Sequence, residues 1–495
     1  MRSKHFKNEC RKVKRLLKRN VGSTHSNTAY QSTLLSAMDT VSPEPHVAVL
    51  STALASHPNT LFRLVKKLAK AAPHVKFTFF SSAKYNLTLF SNTSSTPSNM
   101  RHDIHDGIPE NHVFAGEPME DMNLFFAVAA DEFRRAVKHV MKNSDRKITC
   151  IICHAFLWFT CDLAQEIGVP WVPYWTPGAS SLTIYIYKDL FRQTLGVEGN
   201  EGRMNEKLNF IPGFSDYRLG DLPRDVLSNN IELKGPFYVM LYKMPQTLAR
   251  GDALIVNSFE ELDPDLIKNL KSKFKKIFTI WPISPPDSPP QSSVSDEYGC
   301  LPWLQKHHPN SVAYIAFGTR AMLPPNEINA LAEALEASGI PFLWSLKDDL
   351  KKHLPLGFLD RTSEFGKVVA FAPQVQVLSH GATGVFITHS GWQSVMESLT
   401  AGVPIICRPF WGDQLVNTWM VENVYKIGMR VDGGVFTKNG AIDAIAQVLL
   451  HEKGKMFREQ STAYKELVIK AVEADGSSTE NFKGLLEMIT APGNL

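Results

Sequence analysis

Two stretches of the chain combine residue types and spacing that could do chemistry. The apolar run Gly384-Val-Phe-Ile-Thr388 ends in His389-Ser-Gly-Trp-Gln-Ser394, where helical periodicity begins. A strand, a tight glycine turn and a helix N-terminus in succession form an anion site, because free backbone N–H groups and the positive end of the helix dipole face the ligand. A histidine and hydroxyls at that mouth suit a phosphate or diphosphate. The same spacing describes a helix capped by Ser394, and on spacing alone the capped helix is the better reading. Farther on, Pro409-Phe-Trp-Gly-Asp-Gln414 sets a carboxylate and an amide just after the strand Pro404–Cys407. Such a pair can bracket vicinal hydroxyls, each of which both donates and accepts. A third pattern, the CxxC of Cys150 and Cys153, falls within a strand-like run. Residues three apart on a strand face opposite ways, so these read as buried thiols.

The elements that must position these residues recur along the chain. Short apolar runs at His46–Leu50, Val75–Phe80, Ile148–Cys153, Pro170–Trp175 and Ala253–Asn257 are interleaved with helical patterns over Leu61–Lys70 and Leu157–Ile167. The stretch Ser284–Glu297 is rich in Pro and Ser and reads as an exposed linker. Beyond it the alternation restarts at Ser311–Phe317, with a helix Asn326–Ala337, strands at Pro341–Ser345, Lys367–Phe371 and Gly384–Thr388, a helix Ser394–Thr400, and Pro404–Cys407. Two doubly wound α/β domains follow from this rhythm, each with a parallel sheet covered on both faces. Ligands of such sheets sit at the carboxyl ends of the strands, so facing domains predict a cleft between them.

Composition excludes several classes. The chain has 495 residues and a formal net charge of +4, unevenly spread. Met1–Ala37 carries nine basic residues and one acidic, a net +8, which leaves −4 on the remainder. A basic arm on a mildly acidic body is no argument for a nucleic-acid-binding body. Six cysteines cannot form a disulfide framework and fit a reducing compartment. No apolar run approaches the roughly 18–20 residues of a membrane span, and the N-terminus lacks a signal peptide's apolar core. The sequons at Asn86 and Asn92 are therefore expected to be unused.

The stretch Phe371-Ala-Pro-Gln-Val-Gln-Val-Leu-Ser-His380, Phe386-Ile-Thr-His-Ser-Gly-Trp-Gln-Ser394, Glu397, Gly402-Val-Pro and Asp413-Gln414 resembles the nucleotide-sugar signature of plant UDP-dependent glycosyltransferases. Phe156-Leu-Trp-Phe159, Pro173-Tyr-Trp-Thr-Pro-Gly178, Asn209-Phe-Ile-Pro-Gly213, Asn257-Ser-Phe-Glu-Glu-Leu262, Cys407-Arg-Pro-Phe410 and Gly434-Val-Phe-Thr-Lys438 resemble the flavonoid 3-O-glucosyltransferase branch. The resemblance implies a GT-B fold of two facing Rossmann-like domains with an interdomain cleft. It implies inverting transfer from UDP-glucose, as co-substrate, to a flavonol or anthocyanidin hydroxyl, with no metal or other cofactor. A domain division follows: an extension 1–41, an acceptor domain 42–283, the linker 284–297, a UDP-sugar domain 298–477 and a C-terminal helix 478–495 returning to the first domain. By the same resemblance His57 is the general base, with Ser56 near sugar and acceptor, Thr176 near a glucose hydroxyl and Thr319 near the diphosphate. His389 and Ser394 match phosphate contacts, Gln374 a base or ribose contact and Glu397 a ribose contact, while Trp392, Asp413 and Gln414 match glucose contacts. Phe371, Ala372 and Gln393 complete the donor set; Met119, Phe156, Tyr185, Gln246 and Trp411 are the acceptor set. Gln at position 414 is the usual residue for glucose donors, where His accompanies galactose.

Several positions depart from that pattern. The Asp that normally orients the catalytic His is here His154, which offers a hydrogen bond but no negative charge. Phe371 replaces a Trp expected to stack on uracil, and Gln393 replaces an Asn one methylene shorter. Tyr185 and Met119 stand where the branch often has His and Gln. Three accounts are open: a glucosyltransferase helped by an acidic phenol, one with drifted donor or acceptor choice, or a relative that binds without turnover. For the arm, an extension from an upstream start, a plastid-targeting segment and a binding helix are the alternatives, the first preferred. A cytoplasmic monomer without nucleic-acid partner or stable membrane insertion is expected.

Overall fold

The computed structural model describes residues 44–53, 57–91, 100–114, 119–195, 200–211, 213–214, 216–223, 226, 235–282 and 296–491. The basic arm, Ser56, Asn92 and nearly all of the linker lie outside the described residues.

Two parallel sheets organise the rest. The first contains β1 (His46–Leu50), β2 (Lys76–Ser82), β3 (Arg101–Ile104), β4 (Cys150–His154), β5 (Trp171–Trp175), β6 (Leu254–Val256) and β7 (Ile277–Thr279), in spatial order β3-β2-β1-β4-β5-β6-β7. The second contains β8 (Val312–Ala316), β9 (Phe342–Ser345), β10 (Gly366–Val369), β11 (Thr383–Thr388), β12 (Ile405–Cys407) and β13 (Gly428–Arg430), in order β10-β9-β8-β11-β12-β13. Both orders reverse once, between β1 and β4 and between β8 and β11. In an open α/β sheet the crevice for a ligand lies at that reversal, beyond the carboxyl ends of the strands.

The strands are apolar on both faces because helices cover both. Val47 and Val49 of β1 enter one core, and Ala48 and Leu50 enter the core on the opposite face. Cys150 and Cys153 divide the same way across β4, so the CxxC is two separate buried thiols. Asn86 is buried and its amide donates to the carbonyl of Ser81 and the carboxylate of Asp103, which leaves no acceptor site for a glycan.

Eight helices position the site and the seam between the sheets: α1 (His57–Ala71), α2 (Glu120–Asn143), α3 (Ala179–Ile186), α4 (Pro236–Leu248), α5 (Pro264–Lys271), α6 (Trp392–Ala401), α7 (Asp413–Trp419) and α8 (Ser477–Thr490). Helix α1 starts at His57 rather than at Leu61, since Pro58 is preorganised for a first helical turn. The turn Phe156–Phe159 precedes its helix, which begins at Thr160 instead of Leu157. Helix α8 lies on the first sheet, with Leu485 and Ile489 in the core beside Phe278 and with Ser478 Oγ accepting from the Trp281 amide at 3.0 Å.

One buried contact ties the two sheets together far from the cleft. The Tyr425 hydroxyl donates to Asp263, the residue before α5, at 3.0 Å from each carboxylate oxygen. Burial raises the Asp263 carboxyl to about 7, against the pull of that hydrogen bond. Its folded pKa thus lies above its unfolded value of about 3.9, so the stability it contributes is full below that value and falls as pH rises through 7. Tyr425→Phe removes the donor that a carboxylate needs most. Urea unfolding should show it less stable than wild type by about 1.5–3 kcal/mol at pH 8 and by less at pH 5.

Candidate active site in the interdomain cleft

The carboxyl ends of the two sheets face each other across a cavity of about 540 Å³. At the reversal point of the first sheet, β1 leads to His57 at the start of α1 and β4 ends at His154. At the reversal point of the second, β8 leads to Phe317-Gly-Thr-Arg320 and β11 to His389. The folding rule for parallel sheets therefore delivers every imidazole of the site.

His57 lines the cavity, and the fully buried His154 stands behind it. His57 Nδ1 is 2.8 Å from His154 Nε2, which is also 2.8 Å from the Thr176 hydroxyl; that hydroxyl lies 3.3 Å from His57 Nδ1. The Phe156 backbone N–H donates to His154 Nδ1 at 3.2 Å. Burial, aided by the charge of Arg320, lowers the His57 imidazole to about 4. Burial and then His57 lower His154 further. Both rings are neutral near pH 7, so no ion pair exists here. Phe156 packs on both rings, with centroids 5.5 Å from His57 and 4.6 Å from His154.

Across the cavity, α6 begins at Trp392, and its N-cap Gly391 provides no side-chain hydrogen bond to the first turn. Ser394 is inside that turn, so the capped-helix alternative is corrected: its hydroxyl is 3.3 Å from the Gln374 amide nitrogen, and the Trp392 backbone N–H at the helix start is directed to the Asp413 carboxylate. His389 is wedged between two glycines. A Cβ on Gly318, at φ +73°, would meet its ring at 2.9 Å, and one on Gly391 would meet Nε2 at 2.5 Å. Burial lowers its imidazole to about 4. A neutral ring beside uncapped amides can donate to an anion without the desolvation of a charge.

The polar residues beyond the turn are already tied to one another. Glu397 accepts from the Gln374 amide at 2.8 Å and from the Gln393 amide at 2.9 Å. The extra methylene of Gln393 folds it back onto its i+4 neighbour, while its own carbonyl oxygen is buried without a partner. Gln414 turns its carbonyl oxygen to the amides of Phe410, 2.9 Å, and Trp411, 3.4 Å. Desolvation raises the half-buried Asp413 carboxyl to about 6, and it accepts from Asn417 at 2.9 Å. Trp392 commits its indole N–H to the Asn257 carbonyl at 2.6 Å. That N–H is therefore taken up within the protein.

Thr176, Thr319, Phe371, Ala372, Gln374, His389, Trp392, Gln393, Ser394, Glu397, Asp413 and Gln414 all line the cavity, as do Met119, Phe156, Tyr185 and Trp411. Thr176 directs its hydroxyl at the imidazole pair instead of standing free. Gln246 is the correction in the acceptor set. Helix α4 turns Phe237 and Leu241 toward the cavity, and the helical period carries Gln246 to the exposed side. Sequence reasoning missed Arg63, Arg320 and Lys347, which also line the cavity. Arg320 makes a two-pronged bridge to Asp121 of α2, at 2.6 and 2.9 Å, across the cleft. Lys347 donates to the Thr319 carbonyl at 2.9 Å. Both follow the carboxyl ends of strands, the one signal that could have found them. Among the described residues no group of three His, Cys, Asp or Glu side chains could hold a metal ion, and no helix is long and apolar enough to cross a membrane.

Comparisons with known proteins agree with this architecture. The profile of the UDP-glucoronosyl and UDP-glucosyl transferase family matches residues 294–466. An anthocyanidin 3-O-galactosyltransferase of Actinidia chinensis var. chinensis is 53% identical over 91% of this chain and 98% of its own. An anthocyanidin 3-O-glucosyltransferase of Vitis vinifera is 46% identical over 92% of this chain and 99% of its own. The crystal structure of a UDP-glucose:anthocyanidin 3-O-glucosyltransferase in complex with UDP superposes with a TM-score of 0.85 at 39% identity, covering 91% of this chain and 99% of that one.

The seam that holds α6 in place is open to test. A Cβ on Gly178, just ahead of α3, would stand 2.9 Å from three ring atoms of Trp392, whereas one on Gly381 would meet nothing. Gly178→Ala should lower stability by about 1–3 kcal/mol in urea unfolding. Gly381→Ala should stay within about 0.5 kcal/mol of wild type.

Proposed function

The chain belongs to the UDP-glucoronosyl and UDP-glucosyl transferase family, and from that premise we propose that it transfers a hexose from a UDP-sugar to the 3-hydroxyl of a flavonol or anthocyanidin with inversion at the anomeric carbon. The observation that carries the reading is the opposition of two unlike sites in one cavity. An uncapped helix N-terminus with His389 takes the diphosphate, and His57 on the other wall meets the acceptor oxygen. Attack from the wall opposite the diphosphate makes an α-linked donor into a β-glycoside. Asp413 and the amide of Gln414 bracket the sugar hydroxyls, and the apolar set Met119, Phe156, Tyr185, Phe237 and Leu241 takes the aromatic acceptor.

Glucose is the donor sugar that Gln414 favours. Galactose is the second reading, supported by the higher identity of the galactosyltransferase relative. The two sugars differ only at one hydroxyl, so discrimination rests on a single hydrogen-bonding position.

Purified protein should convert quercetin or cyanidin to a 3-O-hexoside with UDP-glucose in preference to UDP-galactose, followed by mass and by chromatography against both hexoside standards. His57→Ala should lower kcat/KM on the order of a hundredfold or more. Absence of product with every flavonoid, or undiminished activity of that variant, overturns the reading.

Phe371, which is 53% exposed and lines the cavity, offers its ring to the uracil in this reading. Phe371→Trp should tighten UDP about fivefold in calorimetric titration, the equivalent of about 1 kcal/mol of added stacking.

A further inference from the structure

The hydrogen bonds around His154 determine where the proton of His57 resides. A backbone N–H can only donate, so the Phe156 amide makes His154 Nδ1 an acceptor. The ring is buried and neutral, hence its single proton is on Nε2. That N–H has two acceptors within 2.8 Å, His57 Nδ1 and the Thr176 hydroxyl. If it donates to His57, Nδ1 of His57 must present a lone pair. If it donates to Thr176, a proton on His57 Nδ1 would face the Nε2 proton of His154 across the same 2.8 Å, so Nδ1 again presents its lone pair, now to the Thr176 hydroxyl at 3.3 Å. Either arrangement leaves the His57 proton on Nε2. Nδ1 faces the buried pair and His57 lines the cavity, so Nε2 is the nitrogen left for an acceptor.

We propose, resting on the transfer reading above, that His154 is a positioning residue that locks His57 as an Nε2–H donor, which restricts the enzyme to acceptor hydroxyls acidic enough to arrive ionised. An ordinary alcohol must lose its proton as it attacks, and the nitrogen that should take it is already protonated. A conjugated phenol or enol releases its proton to water before attack. Its oxyanion accepts from His57 Nε2–H and forms the new bond to the anomeric carbon. The bond from that carbon to the diphosphate oxygen breaks, and its electron pair leaves with UDP at the helix N-terminus. No proton needs to pass to the protein. The expectation that His57 acts as the base is thereby replaced by a donor role at the same atom.

The charged and titratable groups around His57 are His154, Arg63 on its own helix, and Arg320 paired with Asp121, with Tyr85 in the field of Arg320. All of them are common to every acceptor, so a pH profile that moves with the acceptor reports the acceptor's own ionisation. The test takes a series of phenols of graded acidity and an aliphatic alcohol, with UDP-glucose and UDP-galactose. In wild type the rising limb of kcat/KM against pH should track the pKa of each acceptor, and the alcohol should not react. His154→Asp gives Nδ1 an acceptor, moves the proton there and frees Nε2. The least acidic acceptors should then gain on the order of a hundredfold, with a limb common to all of them. Nitrogen-15 NMR of histidine-labelled wild type, assigned by loss of the signal in His57→Gln, should show Nε2 protonated and Nδ1 bare. A wild-type limb that ignores acceptor acidity, or a His57 protonated on Nδ1, overturns the proposal. The wild-type measurements decide even if His154→Asp does not fold. If no phenol is glycosylated, the transfer reading fails, and the NMR spectrum of the UDP-bound protein still decides the tautomer.

Discussion

Trp392 is asked to do two things, and the rest of the site follows from how it does both. It opens the helix whose N-terminus faces the cavity, and it is a buried plug in the opposite domain, with its indole N–H on the Asn257 carbonyl and its ring against Gly178. Only three residues separate it from the end of β11, so fixing the indole also fixes His389 and the left-handed Ser390 between them, φ 61°. Further bonds repeat the restraint along the seam: Trp281 to Thr400, and Tyr425 to Asp263. Core side chains of α6 and α7 run continuously into the first domain's core. Rotating one sheet against the other would strip several of these polar groups of partners at once, each a costly loss in a dry interior.

The same burial leaves the imidazoles of the cavity uncharged. His57 and His389 are neutral near pH 7, while Asp413, raised to about 6, still ionises below neutrality. Positive charge survives at the rim, on Arg63, Arg320 and Lys347, and Asp121 already offsets Arg320. A diphosphate therefore meets dipoles and neutral donors at its seat and positive charges only at the entrance. That is an arrangement in which preorganised donors act in a low dielectric without the desolvation of ions. The net charge of the body, −4 outside the arm, has no part in it.

Most of the architecture could be read before the structure was known. Runs such as His46–Leu50 and Gly384–Thr388 are apolar on both faces, which a two-sided parallel sheet requires. What escaped was polar or short. Strand β3 is Arg101-His-Asp-Ile at a sheet edge, and β7 and β13 have three residues each, too few to show a period. Among site residues, the signature from Phe371 to Gln414 was legible because strand, turn and helix are contiguous there. Arg63, Arg320 and Lys347 were not, since a lone cation after a strand looks like any exposed charge. Gln246 failed for the opposite reason: position in a motif says nothing about which side of a helix faces the ligand.

The histidine pair shows why one substitution can leave the fold intact and change the chemistry. A carboxylate at position 154 would be a buried charge, tolerable only with an imidazolium or strong donors beside it. His154 is neutral and satisfied on both nitrogens, by the Phe156 amide on one side and by Thr176 or His57 on the other. It asks nothing further of its surroundings, and His57, Phe156 and Thr176 beside it retain their expected types. The difference is confined to the direction of a single hydrogen bond. Stability measurements are blind to that direction, whereas the reaction at His57 depends on it entirely.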